Sequence, residues 1–418
     1  MRKFLLSIIF LIFLLNQAFG QDQGYARAIL QDLCSPQFYG RAYSLKGDKK
    51  ATEYITQKIK ALEFNPQLQY FPITVNCFEG NAEIAIKKHT LKAGKDFLVS
   101  PTSKSFYGQR KTINFNPNKK NSIKKINKIL SKKDSSYSII FDTLNASTEI
   151  KNKYIPKINN HNRNYSKLEI ITTPKITFQG IASKQDNYTT VKIANKLSKK
   201  NKINIKLDAE LKQSYQSQNI ITKIEGQIPD TFIIISAHYD HIGTLGKNTY
   251  FPGAHDNGSG TAMLLDLIRH FSQQNIKPYY SIVFINFSGE EVGLVGSEYY
   301  VRHPIIPLNK TKFLLNLDML GSGDDGIMAV NGSIYNKEYQ LFVKINQEYQ
   351  LLKKIDKRGA AANSDHYFFY KKNIPCLFFY TMGQYKEYHN INDKAENLPM
   401  PVYDNIFKLI TEFIKIYR

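Results

Sequence analysis

From Asn219 onward, short apolar runs alternate with segments of helical spacing, and most of the apolar runs end in a histidine or an acid. Phe232 to Ile235 is continuously apolar and is followed by His238. Ile282 to Phe287 and Phe313 to Leu317 are apolar but for one Asn each, and lead to Glu290-Glu291 and to Asp318. Between them, Thr261 to Phe271, Gly293 to His303 and Lys337 to Gln350 carry apolar residues at helical intervals. Strands that are apolar throughout belong inside a sheet covered on both faces, and alternation with helices makes that sheet mostly parallel. The expected fold is α/β, with a mixed, mostly parallel central sheet flanked by helices. In such sheets the ligand site lies outside the carboxyl ends of the strands, where His238, Glu290 and Asp318 fall.

Taken singly, each of these residues has an ordinary structural reading. His238 could be a buried strand-end histidine, and Asp256, in Gly253-Ala254-His255-Asp256-Asn257-Gly258-Ser259-Gly260, a turn or helix-cap residue. Glu290 and Glu291 could be a solvated loop pair, and His389 an exposed loop residue. Together they cohere. An unpaired Asp318 inside the apolar run Phe313 to Leu320 is costly to bury. Two adjacent carboxylates at a buried strand end repel each other and need positive charge. A metal supplies it for one, and a raised pKa suits the other as a general base. Asp240 is placed to orient His238, and Asp393 follows His389 closely enough to be its orienting group. A carboxylate on the rigid Asp256 turn can offer one oxygen to each of two ions. Two His and three carboxylates with no thiolate favour Zn²⁺, with Mn²⁺ or Co²⁺ as substitutes. A two-ion site suits hydrolysis of an amide.

The motifs AHYDH, GAHDNGSG, FSGEEVGLVGS, NLDM and YHNINDKAENL, in that order, resemble the M28 family of zinc metallopeptidases, in particular its secreted bacterial aminopeptidases. The resemblance runs from about Asn219 to Leu398, and the stretch from Phe38-Tyr39-Gly40-Arg41 to Phe64 resembles the family's N-terminal helix. It implies two zinc ions, His238 and Asp318 on one, Glu291 and His389 on the other, with Asp256 bridging. It further implies Glu290 as the base for a metal-bound hydroxide, Tyr388 as donor to the oxyanion, and Asp240 as the group that orients His238. Ser364-Asp365-His366 resembles a motif near the substrate end of the family's site and receives no chemistry. The implied activity is aminopeptidase action on peptides. Glutaminyl cyclase chemistry with one zinc, carboxypeptidase or dipeptidase action, and a non-catalytic binding protein are the alternatives on this scaffold.

The chain of 418 residues divides into four expected parts. Residues 1–20 read as a signal peptide: Arg2-Lys3, an apolar stretch from Phe4 to Leu15, then Ala18-Phe19-Gly20. The apolar stretch is short for a membrane span, and no Cys marks a lipidation point, so the expected product is exported, periplasmic or secreted, without a stable membrane anchor. Residues 21–76 are expected to be the N-terminal helical part of the peptidase domain, 77–215 a β-containing insert with solvated Lys/Asn-rich loops standing where relatives carry a protease-associated-like domain, and 216–418 the catalytic domain. The formal charge of +22 comes mostly from scattered Lys, and no nucleic-acid motif accompanies it. Peptides are therefore the expected partners and nucleic acid is not; the sequence is silent on oligomeric state. Of the three cysteines, Cys34 and Cys77 are the only pair considered for a disulfide, because Cys376 lies in an apolar strand.

Overall fold

The computed structural model describes residues 23–132, 137–141, 146–173, 176–194 and 200–418. The expected signal peptide lies outside the described residues. Eight strands form the main sheet: β1 (Gln67–Cys77), β2 (Glu210–Ile224), β3 (Ile228–His238), β4 (Tyr280–Phe287), β5 (Thr311–Leu317), β6 (Ile327–Val330), β7 (Ile355–Arg358) and β8 (Cys376–Thr381). Their order across the sheet is β1-β2-β4-β3-β5-β8-β6-β7. The central strands β4, β3, β5 and β8 are mutually parallel, while β1 and β2 on one side and β6 against β8 on the other pair antiparallel. The expected mixed α/β sheet is thus observed.

Side-chain alternation along β3 explains why that strand is apolar without interruption. Ile233 and Ile235 enter a core packed by helices Gln23–Leu33, Gly47–Lys60, Ser259–Ser272, Asn336–Tyr349 and Tyr403–Ile416. Ile234 points the other way, into a core with Tyr300 and Phe369 from helices Val295–Arg302 and His366–Lys371. Both faces are buried, and each such side chain contributes roughly 1.5–3 kcal/mol relative to exposure. Helix Tyr403–Ile416 buries Ile406, Phe407, Ile410, Phe413 and Ile414, the apolar stripe that its sequence spacing requires.

Four expectations about the first half change. Residues 21–76 are not helical throughout, since Gln67–Cys77 is an edge strand of the main sheet whose Cys77 pairs with Glu210 of β2. Strand β2 runs through the expected boundary at 215 to Ile224. Between those paired ends the chain makes an excursion containing a five-stranded sheet, a three-stranded sheet and the helices Lys120–Leu130 and Thr148–His161. The Lys/Asn-rich stretch 116–133, read as a solvated loop, therefore contains a helix. Ile126 is buried in it and Ile123, Ile129 and Leu130 pack beside Phe115, Ile139 and Tyr154. That stripe was hidden because everything around it is Lys, Asn or Ser. Part of the second such stretch, 196–202, lies outside the described residues. Cys34, Cys77 and Cys376 are free, buried thiols rather than a disulfide and a remainder, and burial pushes each of them up to about 12. Among the described residues, no helix is long and apolar enough to cross a membrane.

Candidate metal centre and active site

The parallel strands deliver their terminal residues to one edge. His238 is the last residue of β3, Glu290 and Glu291 follow the end of β4, and Asp318 follows β5. The loop after β8 brings back Tyr388 and His389, and the turn before helix Ser259–Ser272 supplies Asp256. That turn is tightly specified. Gly253 has φ of +62°, and a Cβ there would sit 2.4 Å from the Asp256 carbonyl oxygen and 2.4 Å from the His241 ring. Arg41, fully buried, donates to the carbonyls of Tyr239 (2.8 Å), Leu33 (3.1 Å), Pro252 (2.5 Å) and Gly253 (2.7 Å). The N-terminal segment thereby braces the turn, using a guanidinium's several donors on backbone oxygens.

Asp393 does not orient His389. Its carboxylate accepts from the His255 N–H at 2.9 Å, the Asp256 N–H at 3.3 Å and the Tyr385 hydroxyl at 3.1 Å. The group that faces His389 Nδ1 is the Phe178 carbonyl, 3.2 Å away and contributed by the excursion. A carbonyl only accepts, so Nδ1 carries the proton, and in the neutral ring Nε2 keeps an unprotonated lone pair that can ligate a metal.

Asp240 also differs from expectation. His238 Nδ1 lies 3.1 Å from the Asp240 backbone carbonyl, whereas the Asp240 carboxylate is 3.8 Å away. The carboxylate instead accepts from the N–H groups of Glu290 (3.2 Å) and Glu291 (3.4 Å) and from the Tyr43 hydroxyl (3.0 Å), so it shapes the Glu290-Glu291 loop.

The donor atoms meet in two adjoining groups, Asp256 between them. Asp256 Oδ1 is 3.4 Å from His238 Nε2, while Asp256 Oδ2 is 2.9 Å from His389 Nε2. Asp318 Oδ1 lies 3.4 Å from His238 Nε2, and Glu291 Oε1 lies 3.3 Å from His389 Nε2. The ligand-capable atoms form two sets, each with all its atoms within 4.8 Å of one another: His238, Glu290 and Asp318 in one, and His241, Asp256, Glu291 and His389 in the other. His238 Nε2 and Asp318 Oδ1 are buried without a hydrogen-bond partner. Buried polar atoms left unpartnered are costly, and a shared cation would satisfy both. Divalent ions of the zinc type fit this oxygen and imidazole donor set.

The electrostatics agree. Among the described residues, the ion pairs of Asp240, Asp256, Glu291 and Asp318 are all with histidines and none with Lys or Arg. The surplus negative charge pulls protons onto His238 and His389, while burial wins at His241 and lowers its pKa. Burial opposes a charged His389, yet Glu291 and Asp256 outweigh it and push the ring up to about 11. Burial lifts Glu290 well above the usual carboxylate range, and Glu291, Asp318 and Asp365 add to the effect. Glu291 is held well below its ordinary value, because His389 and His241 outweigh its burial. The two adjacent glutamates thus differ as an acid–base group and a ligand would.

Sequence reasoning misses His241, the last residue of the AHYDH motif. It is fully buried and its Nδ1 lies 2.8 Å from Glu291 Oε1, which fixes that carboxylate. Its position three residues after His238 in the same motif was the available signal. Tyr388 stacks on His389, with ring centroids 3.8 Å apart and planes 15° apart, and is 42% exposed where it lines the cleft. Ser364 donates to Asp318 Oδ2 at 3.0 Å and accepts from Asn316 at 2.8 Å, which gives the Ser364-Asp365-His366 motif a positioning contact. His255 turns away from the other imidazoles, its Nδ1 accepting from the Gly321 N–H at 3.1 Å.

A cleft of about 1010 Å³ opens over these groups, lined by Asp256, Glu290, Asp318 and Tyr388 with Met319 and Phe378. A second cavity of about 880 Å³ lies in the excursion, but its lining, rich in Lys with Gln109, Asn204, Tyr137 and a few apolar residues, contains no His, Cys or acid.

Residues 219–414 match the model described as Peptidase family M28. Over 127 residues, 30% of this chain, the sequence is 33% identical to aminopeptidase YwaD of Bacillus subtilis (strain 168), covering 26% of that protein. Over 117 residues, 27% of this chain, it is 37% identical to a vacuolar membrane protease of Lodderomyces elongisporus, covering 11% of it. Over 171 residues, 38% of this chain, it is 32% identical to leucine aminopeptidase 1 of Trichophyton rubrum, covering 46% of it. The chain therefore spans less than half the length of these curated relatives. In fold it is similar to a zinc aminopeptidase from Bacillus subtilis, with a TM-score of 0.69, 19% identity and 95% of both chains covered. A peptidase M28 precursor from Shewanella amazonensis SB2B gives 0.64, 15% identity, and 94% and 97% covered.

Proposed function

We propose, from the match of residues 219–414 to peptidase family M28, that this chain is an exported aminopeptidase that works with two zinc ions. One observation carries the reading: the two oxygens of Asp256 face different imidazoles, Oδ1 toward His238 and Oδ2 toward His389. His238 and Asp318 would hold one ion and Glu291 and His389 the other, with Asp256 shared. When bound, such ions polarise the scissile carbonyl and lower the pKa of water.

The chain's own groups do the rest. Glu290 takes a proton from the attacking water and hands it to the leaving amine. Its carboxyl is lifted well above the usual carboxylate range by burial and neighbouring acids, which suits a group that must hold a proton between taking it from water and passing it on. Tyr388, half-exposed at the cleft, donates a hydrogen bond to the oxyanion as it develops. Asp240 keeps the Glu290-Glu291 loop in place through both backbone N–H groups. The carboxylates Asp256, Glu291 and Asp318 at the floor of the cleft pair with histidines and not with the Lys353, Lys354 and Lys386 that also line it, which suits the α-ammonium of a free N-terminus and supports cleavage at that end. Export rests on the leader pattern of residues 1–20.

The test is zinc content of the purified mature chain, run beside hydrolysis of amino-acyl anilides and their N-acetylated counterparts. About two zinc per chain with cleavage of free-amine substrates only is the expected result. One zinc or none with no hydrolysis would overturn the reading, and equal cleavage of acetylated substrates would overturn the end-selectivity.

A further inference from the structure

The excursion between Cys77 and Glu210 touches the metal donors through residues 178–181. Phe178 pairs with His389 in both directions: its N–H donates to the His389 carbonyl at 3.1 Å, and its carbonyl faces His389 Nδ1 at 3.2 Å. Three residues on, the Ile181 N–H donates to the Glu291 carbonyl at 3.0 Å. Gly180, between them, has φ of +79°, and a Cβ there would lie 3.2 Å from the Glu291 carbonyl oxygen and 3.7 Å from Glu291 Oε2. Only a glycine combines that backbone conformation with so close an approach.

The segment is anchored at both ends. The Phe178 ring is buried against Phe251, with centroids 5.2 Å apart, and the Ala182 carbonyl accepts from the Asn76 N–H at 2.8 Å. The other donor group is supported differently. His238 Nδ1 faces the Asp240 carbonyl and Asp318 accepts from Ser364, both within the matched 219–414 region.

We propose that residues 178–181 form a positioning strap that sets only the His389 and Glu291 metal position, making one of the two ions dependent on the excursion while the other stands on the main sheet alone. The proposal rests on the two-ion reading above. Groups that orient a metal ligand typically alter affinity 10–100-fold when removed.

The experiment is a zinc chloride titration of the metal-free full-length mature protein against a chelating indicator, for wild type, Gly180→Ala and Phe178→Ala, with Phe178→Leu as the conservative variant. The metal-free melting temperature is followed in parallel. Two ions are expected for wild type. In Gly180→Ala and Phe178→Ala one ion should keep its affinity while the other weakens about 10–100-fold, with partial recovery in Phe178→Leu. Ile158→Ala, which opens a separate excursion core around Phe115, Ile139 and Tyr154 that includes no strap residue, should lower the melting temperature and leave both affinities in place. Equal weakening of both ions, no weakening, or the same selective loss in Ile158→Ala would overturn the strap. A wild type that takes up a single ion would overturn the two-ion reading, and the strap's selectivity with it.

Discussion

Asp393→Ala tests whether the turn carrying Asp256 is held by a buried acid. The Asp393 side chain is fully buried and accepts from the His255 and Asp256 N–H groups and the Tyr385 hydroxyl. Removing it strands two backbone N–H groups, each at a cost of about 1–3 kcal/mol. An opposing contribution comes from the carboxyl itself, which burial pushes up to about 7, so a neutral-pH fold gains something by losing it. The net loss should sit low in the combined range, at about 2–4 kcal/mol. With an unfolding entropy near 2.1 cal/mol/K per residue, a chain of this length should melt roughly 2–5 °C lower. The Asp256 carboxylate would lose its fixed direction too, so zinc affinity should fall about 10–100-fold. Scanning calorimetry of the metal-free protein and zinc competition read the two effects separately. Asp393→Asn keeps one acceptor oxygen and should recover part of each. An Asp393→Ala protein with unchanged melting temperature and unchanged zinc affinity would refute the brace.

Three further outcomes follow from the same geometry. Glu290→Gln should lower kcat by about 10²–10⁴-fold at unchanged zinc content, whereas Glu291→Gln should lower the zinc content; atomic absorption beside steady-state kinetics distinguishes them, and the reverse pattern would exchange the two roles. Tyr388→Phe should lower kcat by up to about 10²–10³-fold with little change in KM, and a purely KM effect would remove it from the oxyanion. Burial raises Asp48 to about 6 despite hydrogen bonds from Tyr215 and Ser217. Between its unfolded value near 4 and about 6 the folded chain holds a proton that the unfolded chain has released, so this group makes stability fall as pH rises through that window. Asp48→Asn should flatten that part of the stability–pH curve, as read by urea melts from pH 4 to 7, and an unchanged slope would count against the assignment.

What the sequence made legible was the part written in side-chain type and period. The unbroken apolar run of β3, its two-sided burial and the acids at strand ends follow from counting residues. The gathering of His238, Asp256, Glu290, Glu291, Asp318 and His389 at one edge follows from parallel strands ending together. What stayed hidden is supplied by backbone atoms or by residues distant in sequence. The Phe178 carbonyl on His389 leaves no trace in residue type. Asp393 lies near His389 in the chain yet serves the turn around Asp256. Arg41 looks like any surface arginine until its donors are seen to end on four carbonyls. Helix Lys120–Leu130 was masked by its composition, because four apolar residues among Lys and Asn resemble a solvated loop.

The pairing of Cys77 with Glu210 bears on how such a protein can be shortened. The two ends of the excursion are neighbours across an antiparallel ladder, so a tight hairpin could join them and leave every strand of the main sheet in register. By connectivity alone the intervening residues are a detachable module. Cutting there would nonetheless strip His389 Nδ1 of its acceptor and the Glu291 carbonyl of its donor. A minimal enzyme built on this scaffold would therefore need a replacement loop that reaches the same two atoms, and the place to graft it is the gap the excursion leaves above the loop after β8.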